Sequence, residues 1–169
     1  MRTRLITLAL MLVTTLVMAQ QPAKQAKQPA PAKTYTSAAD VVAMMAKAKN
    51  ERKQDQANFI QGLLQLAPYG ANLEYRAVVG PAAVHEKEAE LFYVIDGSGT
   101  LVTGGKLAGE TRTNPDNLSG TGIEGGNTQN VAKGDFFIVP EKTPHWFSKI
   151  NGTLVLMSLH VPRPVPAAQ

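Results

Sequence analysis

Cysteine is missing from all 169 residues, which excludes disulfides, thiolate metal ligands and a thiol nucleophile. A basic surface is missing too, despite the formal charge of +4. Arg2, Arg4, Lys24, Lys27 and Lys33 all lie in the first 33 residues, and without them 12 basic residues face 13 acidic ones. A nearly neutral body does not carry a nucleic-acid footprint. No internal repeat points to a solenoid. The longest apolar run, Leu5 to Ala19, is shorter than the roughly 20 residues that span a bilayer. It follows Arg2 and Arg4, and Val17 and Ala19 are spaced like a signal-peptidase site. Residues 1–19 are therefore expected to be a cleaved signal peptide, residues 1–169 to give a periplasmic or secreted protein, and the membrane to be met only through that signal.

Residues 20–36 are rich in Gln, Pro, Ala and Lys and read as a flexible linker. Residues 37–56 read as an N-terminal helical segment. Ser37 and Asp40 form a capping-box-like start, and Val41, Val42, Met44, Met45 and Ala48 share one face of a helix over Ala38 to Arg52. The Met pair is a packing stripe. Strand signals follow at Phe59 to Leu66, closed by Ala67-Pro68-Tyr69-Gly70, and at Asn72 to Val79. In the second of these Leu73, Tyr75, Ala77 and Val79 share one face, and Asn72, Glu74 and Arg76 the other. Residues 106–130, rich in Gly, Asn and Thr, read as a long loop that either flanks a pocket mouth or is a solvated insertion. Strand text returns at Phe136 to Val139, His145 to Ser148 and Thr153 to Val161. Residues 162–169 read as a disordered tail. Short strands and turns at this spacing predict an all-β, antiparallel sandwich or barrel over residues 57–161, with one helix ahead of it.

The chemistry gathers in two stretches, VHEKEAELFYVIDGSG over Val84 to Gly99 and IVPEKTPHWF over Ile138 to Phe147. In a strand starting at Glu90, the side chains of Glu90, Phe92 and Val94 point one way and those of Leu91, Tyr93 and Ile95 the other. That sets Glu90 among apolar neighbours, where a carboxylate needs a cation. His145 shares a face with Phe147. A His and a Glu from different strands, each beside Phe, make an inward-facing site. The opposing readings are a hydrogen-bonded barrel histidine at His145, a surface histidine in a charged turn at His85, and a salt-bridged strand end at Glu90. Glu86 and Glu88 read as solvent-facing turn charges, and His160 as a core or rim histidine or an extra pocket residue. Phe92 and Phe147 line the same candidate pocket. Gln61, Gln65, Tyr75 and Arg76 are candidates for reaching it, their faces unassigned.

These two stretches resemble the motifs of the cupin superfamily of small single-domain barrels. Gly134, Pro140 and His145 repeat the spacing of the family's second motif, with Lys142 where the family usually has Gly. Glu90 to Gly97 fits the end of its first motif, His, one residue, His, three or four residues, Glu, six residues, Gly. With four residues between them, His85 takes the second His position and Ala83 the first; with three, the position falls on Glu86. The first alignment retains a nitrogen ligand and is preferred.

The resemblance implies an antiparallel double-stranded β-helix, or jelly roll, and a metal site of His85, Glu90 and His145. Two imidazoles and a carboxylate suit one divalent ion, Fe, Mn or Zn, with coordination positions left open. The expected activity is on a small molecule, by dioxygenase, isomerase or lyase chemistry, with a metal-dependent oxidoreductase of the dioxygenase type leading. The alternatives are a non-catalytic module that binds a small ligand or metal, and a structural role. A homodimer is expected through Leu91, Tyr93 and Ile95, unless the helix covers that face.

Overall fold

A computed structural model of the protein describes residues 31–163. The signal peptide and residues 20–30 of the linker lie outside the described residues, as do residues 164–169 of the tail. Among the described residues no helix is long and apolar enough to cross a membrane.

Among the described residues there is one helix, α1, which runs Ala38–Glu51. Ser37 Oγ accepts from the Asp40 N–H at 3.1 Å, and Asp40 Oδ2 accepts from the Ser37 N–H at 3.0 Å, so the capping box closes with Asp in the acidic position. Eleven strands follow: β1 Asn58–Leu66, β2 Tyr69–Arg76, β3 Ala82–His85, β4 Glu88–Thr103, β5 Lys106–Ala108, β6 Thr111–Asn114, β7 Asn117–Gly120, β8 Gly122–Glu124, β9 Asn127–Ala132, β10 Phe136–Val139 and β11 His145–Pro162. All pairings are antiparallel. The two longest strands, β4 and β11, pair from His145↔Thr103 to Pro162↔Glu88 and form the spine. β11 also pairs with β2 and β3, β4 with β9 and β10, and β7 with β3 and β6. The fold is a β-barrel jelly roll: the strand reading expects a sandwich or barrel, and the family resemblance the jelly roll.

Alternation along β11 separates two apolar clusters. Leu154 and Leu156 pack inside the barrel with Phe92, Val94, Leu101, Val131, Val139 and Phe147. Val155 and Met157 face outward and, with Leu63, Leu73 and Tyr75, meet Met44, Met45 and Ala48 of α1. The Met stripe is thus packing. Ile95 joins this outer cluster, while Tyr93 stays part-exposed beside Phe136, their rings 6.1 Å apart.

The segment over residues 106–130 is not a long loop but carries β5 to β8 and the start of β9. Its strands are three to six residues long, and all four residues of β6 are exposed. A strand that buries neither face shows no apolar alternation, so the ladder is carried by backbone bonds that composition does not reveal. The linker's end is likewise engaged. Lys33 forms a backbone bridge with Gln65, and Thr36 Oγ donates to the Leu63 carbonyl at 2.5 Å. β11 runs on to Pro162, one residue into the expected tail.

Two backbone positions fix the ends of the motifs. Gly97 has φ +82° where β4 crosses β11, and a Cβ there would collide with the Thr153 carbonyl. Lys142, in the turn before His145, is the one non-glycine residue with positive φ among the described residues, at 62°. Its N–H donates to the His85 carbonyl at 2.7 Å, tying the turn to β3. The left-handed conformation costs an L-residue about 1–2 kcal/mol, part of which glycine would return as chain entropy. Lys142→Gly is expected to raise stability by up to about 1 kcal/mol in urea denaturation; a loss would show that the lysine side chain holds the turn. Gly97→Ala is expected to destabilise by more than about 3 kcal/mol, enough to lower the melting temperature sharply.

Candidate metal centre

The barrel wall places Glu90 on the inner face of β4, beside Val139 of β10 and opposite His160 of β11. Burial follows the alternation: Glu90, Phe92 and Val94 are buried and Leu91 and Tyr93 are not. His145 opens β11 directly opposite Ala83 of β3. His85 lies two residues further along β3, on the same face as Ala83 and diagonal to His145. This register brings three side chains together from distant parts of the chain.

Glu90 is 4% exposed and His145 6%. Glu90 Oε2 stands 3.2 Å from His85 Nε2 and 3.2 Å from His145 Nε2. The outer nitrogens are also engaged: His85 Nδ1 lies 2.8 Å from Asn117 Oδ1, and His145 Nδ1 lies 3.3 Å from the Thr143 carbonyl. Both of these oxygens only accept, so each Nδ1 must carry a proton. In a neutral imidazole that leaves Nε2 as a lone pair aimed at a carboxylate oxygen. Lone pairs at 3.2 Å repel unless a cation lies among them, a proton or a metal ion.

The spacing fits a metal. Donors about 2.1 Å from one ion and 90–109° apart stand about 3.0–3.4 Å from each other. The ligand atoms of His85, Glu90 and His145 all lie within 4.8 Å of one another. Asn117 and the Thr143 carbonyl then play the outer part that fixes tautomer and ring direction in metal-ligating histidines.

A second buried carboxylate on the inner wall shows the alternative. Glu74, 5% exposed, accepts from Ser158 Oγ at 2.7 Å, Asn58 Nδ2 at 2.9 Å and Arg76 at 2.6 and 3.0 Å. That carboxylate is satisfied by a guanidinium and two neutral donors. Glu90 has no Lys or Arg partner among the described residues, only imidazoles. The guanidinium-paired arrangement is that of Glu74, whereas Glu90 meets imidazoles.

Phe92 forms the apolar floor, its ring 6.2 Å from that of His145 and 5.7 Å from that of Phe147. Arg76 lies 4.9 Å over the Phe147 ring, on the inner wall. His160 reaches the site: its Nε2 is 3.4 Å from Glu90 Oε1, and its ring is 4.7 Å from that of His85. Gln61 and Tyr75 do not. Gln61 donates to the Met44 carbonyl of α1 at 2.7 Å, and Tyr75 packs in the cluster under the helix. The apolar face of β2 serves the helix, and its polar face lines the barrel. Gln65 is exposed on β1. Glu86 pairs with Arg112 at 2.7 Å, away from the triad. Asn117, in the segment read as a loop, escapes sequence reasoning altogether: no spacing ties it to His85, 32 residues earlier.

Burial would lower the pKa of His85, but hydrogen bonds to Glu90 and Asn117 and the charges of Glu90 and Glu88 outweigh it and raise it above 6.5. Burial would raise that of Glu90, but bonds from His145 and His85 reverse this and hold it well below 4.5. A depressed carboxylate contributes stability above its unfolded value and loses it as pH falls. A raised imidazole contributes fully below its unfolded value and loses that contribution as pH rises through the folded one. The metal-free protein is therefore expected to lose thermal stability as pH rises from about 6.5 through the raised His85 value, less so in His85→Gln. Zn(II) is expected to add more to the melting temperature at the upper end of that range, because ligation needs the free Nε2. Equal slopes in parent and variant would contradict the coupling of His85 to Glu90.

Solved structures to which this chain is similar include hydroxypropylphosphonic acid epoxidase from S. wedmorenis, 16% identical, TM-score 0.49, covering 64% of this chain and 53% of that one. The iron(II) form of the enzyme abbreviated HppE is 14% identical, TM-score 0.48, covering 66% and 54%. The cupin domain of Schizosaccharomyces pombe Cnp3 is 14% identical, TM-score 0.48, covering 68% and 72%. The chain spans about half the length of these first two structures. No curated protein matches it in sequence. The family model described as Cupin matches residues 45–163, from the middle of α1 to the end of β11 and through every residue of the triad, and the chain belongs to the cupin family.

Proposed function

We propose that this cupin binds one divalent metal ion, Fe, Mn or Zn, through His85, Glu90 and His145, and acts on a small molecule that completes the metal's shell. The observation that carries the reading is the pair of inward-turned Nε2 atoms that share one oxygen of a buried carboxylate. Two imidazoles and a carboxylate leave positions open to a substrate, the donor set of non-haem Fe(II) oxygenases, so dioxygenase-type oxidation leads over isomerase or lyase chemistry. A bound ion there would act as a Lewis acid toward an oxygen-bearing substrate.

The chain's own residues do the rest. Asn117 and the Thr143 carbonyl keep the two imidazoles in the ligating tautomer. Phe92 and Phe147 exclude water beneath the site and strengthen every charge interaction above it. Arg76, neutralised by Glu74 and lying over Phe147, packs the inner wall without adding net charge to it. The apolar Leu5 to Ala19 run supports export to the periplasm or the medium, and part-exposed Tyr93 with exposed Phe136 supports pairing with a second copy.

Elemental analysis of untagged protein is expected to find one equivalent of metal in the parent and none in His85→Ala or His145→Ala. Asn117→Ala is expected to weaken metal binding by about 10–100-fold. A metal-free parent after growth in Fe, Mn and Zn supplements would overturn the reading. Oxygen uptake with diketones and catechols, lost with the metal, is the expected sign of turnover. Metal and ligand binding without product would instead mark a binding module.

A further inference from the structure

Resting on the metal site above, we propose that His160 is a positioning residue that clamps the second oxygen of Glu90, so that the carboxylate offers the metal Oε2 alone. The carboxylate is divided between two sets of partners. Oε2 faces His85 and His145 at 3.2 Å, whereas Oε1 faces His160 Nε2 at 3.4 Å. The register brings the two groups together: His160 is the direct cross-strand partner of Glu90, so both side chains stand on the inner face of adjacent strands. Oε1 can only accept, so a clamp through this contact places the proton on His160 Nε2, and a protonated nitrogen is no ligand.

The other side of the ring fits the same role. His160 Nδ1 is buried without a hydrogen-bond partner and lies 3.4 Å from Glu88 Oε2. Glu88 and Glu90 share a face of β4, two residues apart, so His160 spans both carboxylates from the facing strand. The ring also meets His85 edge-on, at 83° and 4.7 Å between centroids, which limits its sideways movement. Ala83, on the same face as His85, presents only a methyl group toward this side. A carboxylate free at both oxygens can chelate one ion through both and close a coordination position. Clamped at Oε1, Glu90 stays monodentate and that position remains open for substrate.

Zn(II) and Mn(II) binding would be measured by chelator competition on the parent, His160→Ala and His160→Gln, with thermal melts confirming the fold. His160→Ala is expected to lose about 10–100-fold in affinity, as outer partners of metal ligands typically do. His160→Gln, whose amide can donate to Oε1, is expected to recover most of that loss. X-ray absorption of the Zn(II) protein is expected to count two imidazoles in all three proteins. Infrared splitting of the carboxylate stretches is expected to change from monodentate to bidentate only in His160→Ala. Unchanged affinity and splitting in His160→Ala would overturn the clamp. Three imidazoles in the parent, falling to two in the variant, would also overturn it by making His160 a ligand. A parent that binds neither metal would overturn the metal site itself, and the clamp with it.

Discussion

A carboxylate buried among histidines is the constraint on which the rest of this structure turns. Glu90 is 4% exposed, and an ion so placed is costly unless something of opposite charge meets it. The barrel solves the same problem a second time at Glu74, with Arg76, Asn58 and Ser158 as donors. Around Glu90 it supplies instead two imidazoles whose outer nitrogens are already committed to acceptors. The first arrangement is complete as built. The second is complete only with protons or a metal at its centre.

The fold is what brings these groups into register. β4 and β11 run the length of the barrel against each other, and their pairing sets Glu90 opposite His160. β3 is only four residues long, yet it meets β11 at His145↔Ala83 and so delivers His85 to the diagonal position. The Lys142 N–H on the His85 carbonyl joins the turn before His145 to the end of β3. Inside, Phe92 and Phe147 close the floor; outside, Val155 and Met157 pack toward α1. One strand thus serves the site on one face and stability on the other.

Much of the site is legible because period-two alternation depends on burial, and β4 is buried on one face for most of its length. Glu90, Phe92 and Val94 could be read as sharing an inward face from the text ELFYV alone. The spacing from Gly134 to His145 is legible through the family's second motif, and the φ of +93° at Gly134 is the backbone reason for its glycine. What stays hidden has a common physical origin. The strands β5 to β9 are three to six residues long, with β6 and most of β9 exposed, so no apolar rhythm marks them, and Asn117 goes unseen with them. Gln61 and Tyr75 are candidates whose faces the sequence leaves unassigned, and both turn to the helix. Which face of β2 meets the helix is decided by packing between elements far apart in sequence. His160 was visible as a rim histidine, but its pairing with Glu90 depends on a strand register that no local pattern encodes.

The central claim is that the outer acceptors hold His85 and His145 with Nδ1 protonated and Nε2 turned to the shared carboxylate. Nitrogen-15 NMR of the imidazoles, recorded at mildly alkaline pH before and after one equivalent of Zn(II), reads this directly. Retained Nδ1–H signals at both residues, with both Nε2 resonances moving to metal-bound values, are the predicted result. Metal bound through Nδ1, or imidazole spectra unchanged by Zn(II), would contradict it.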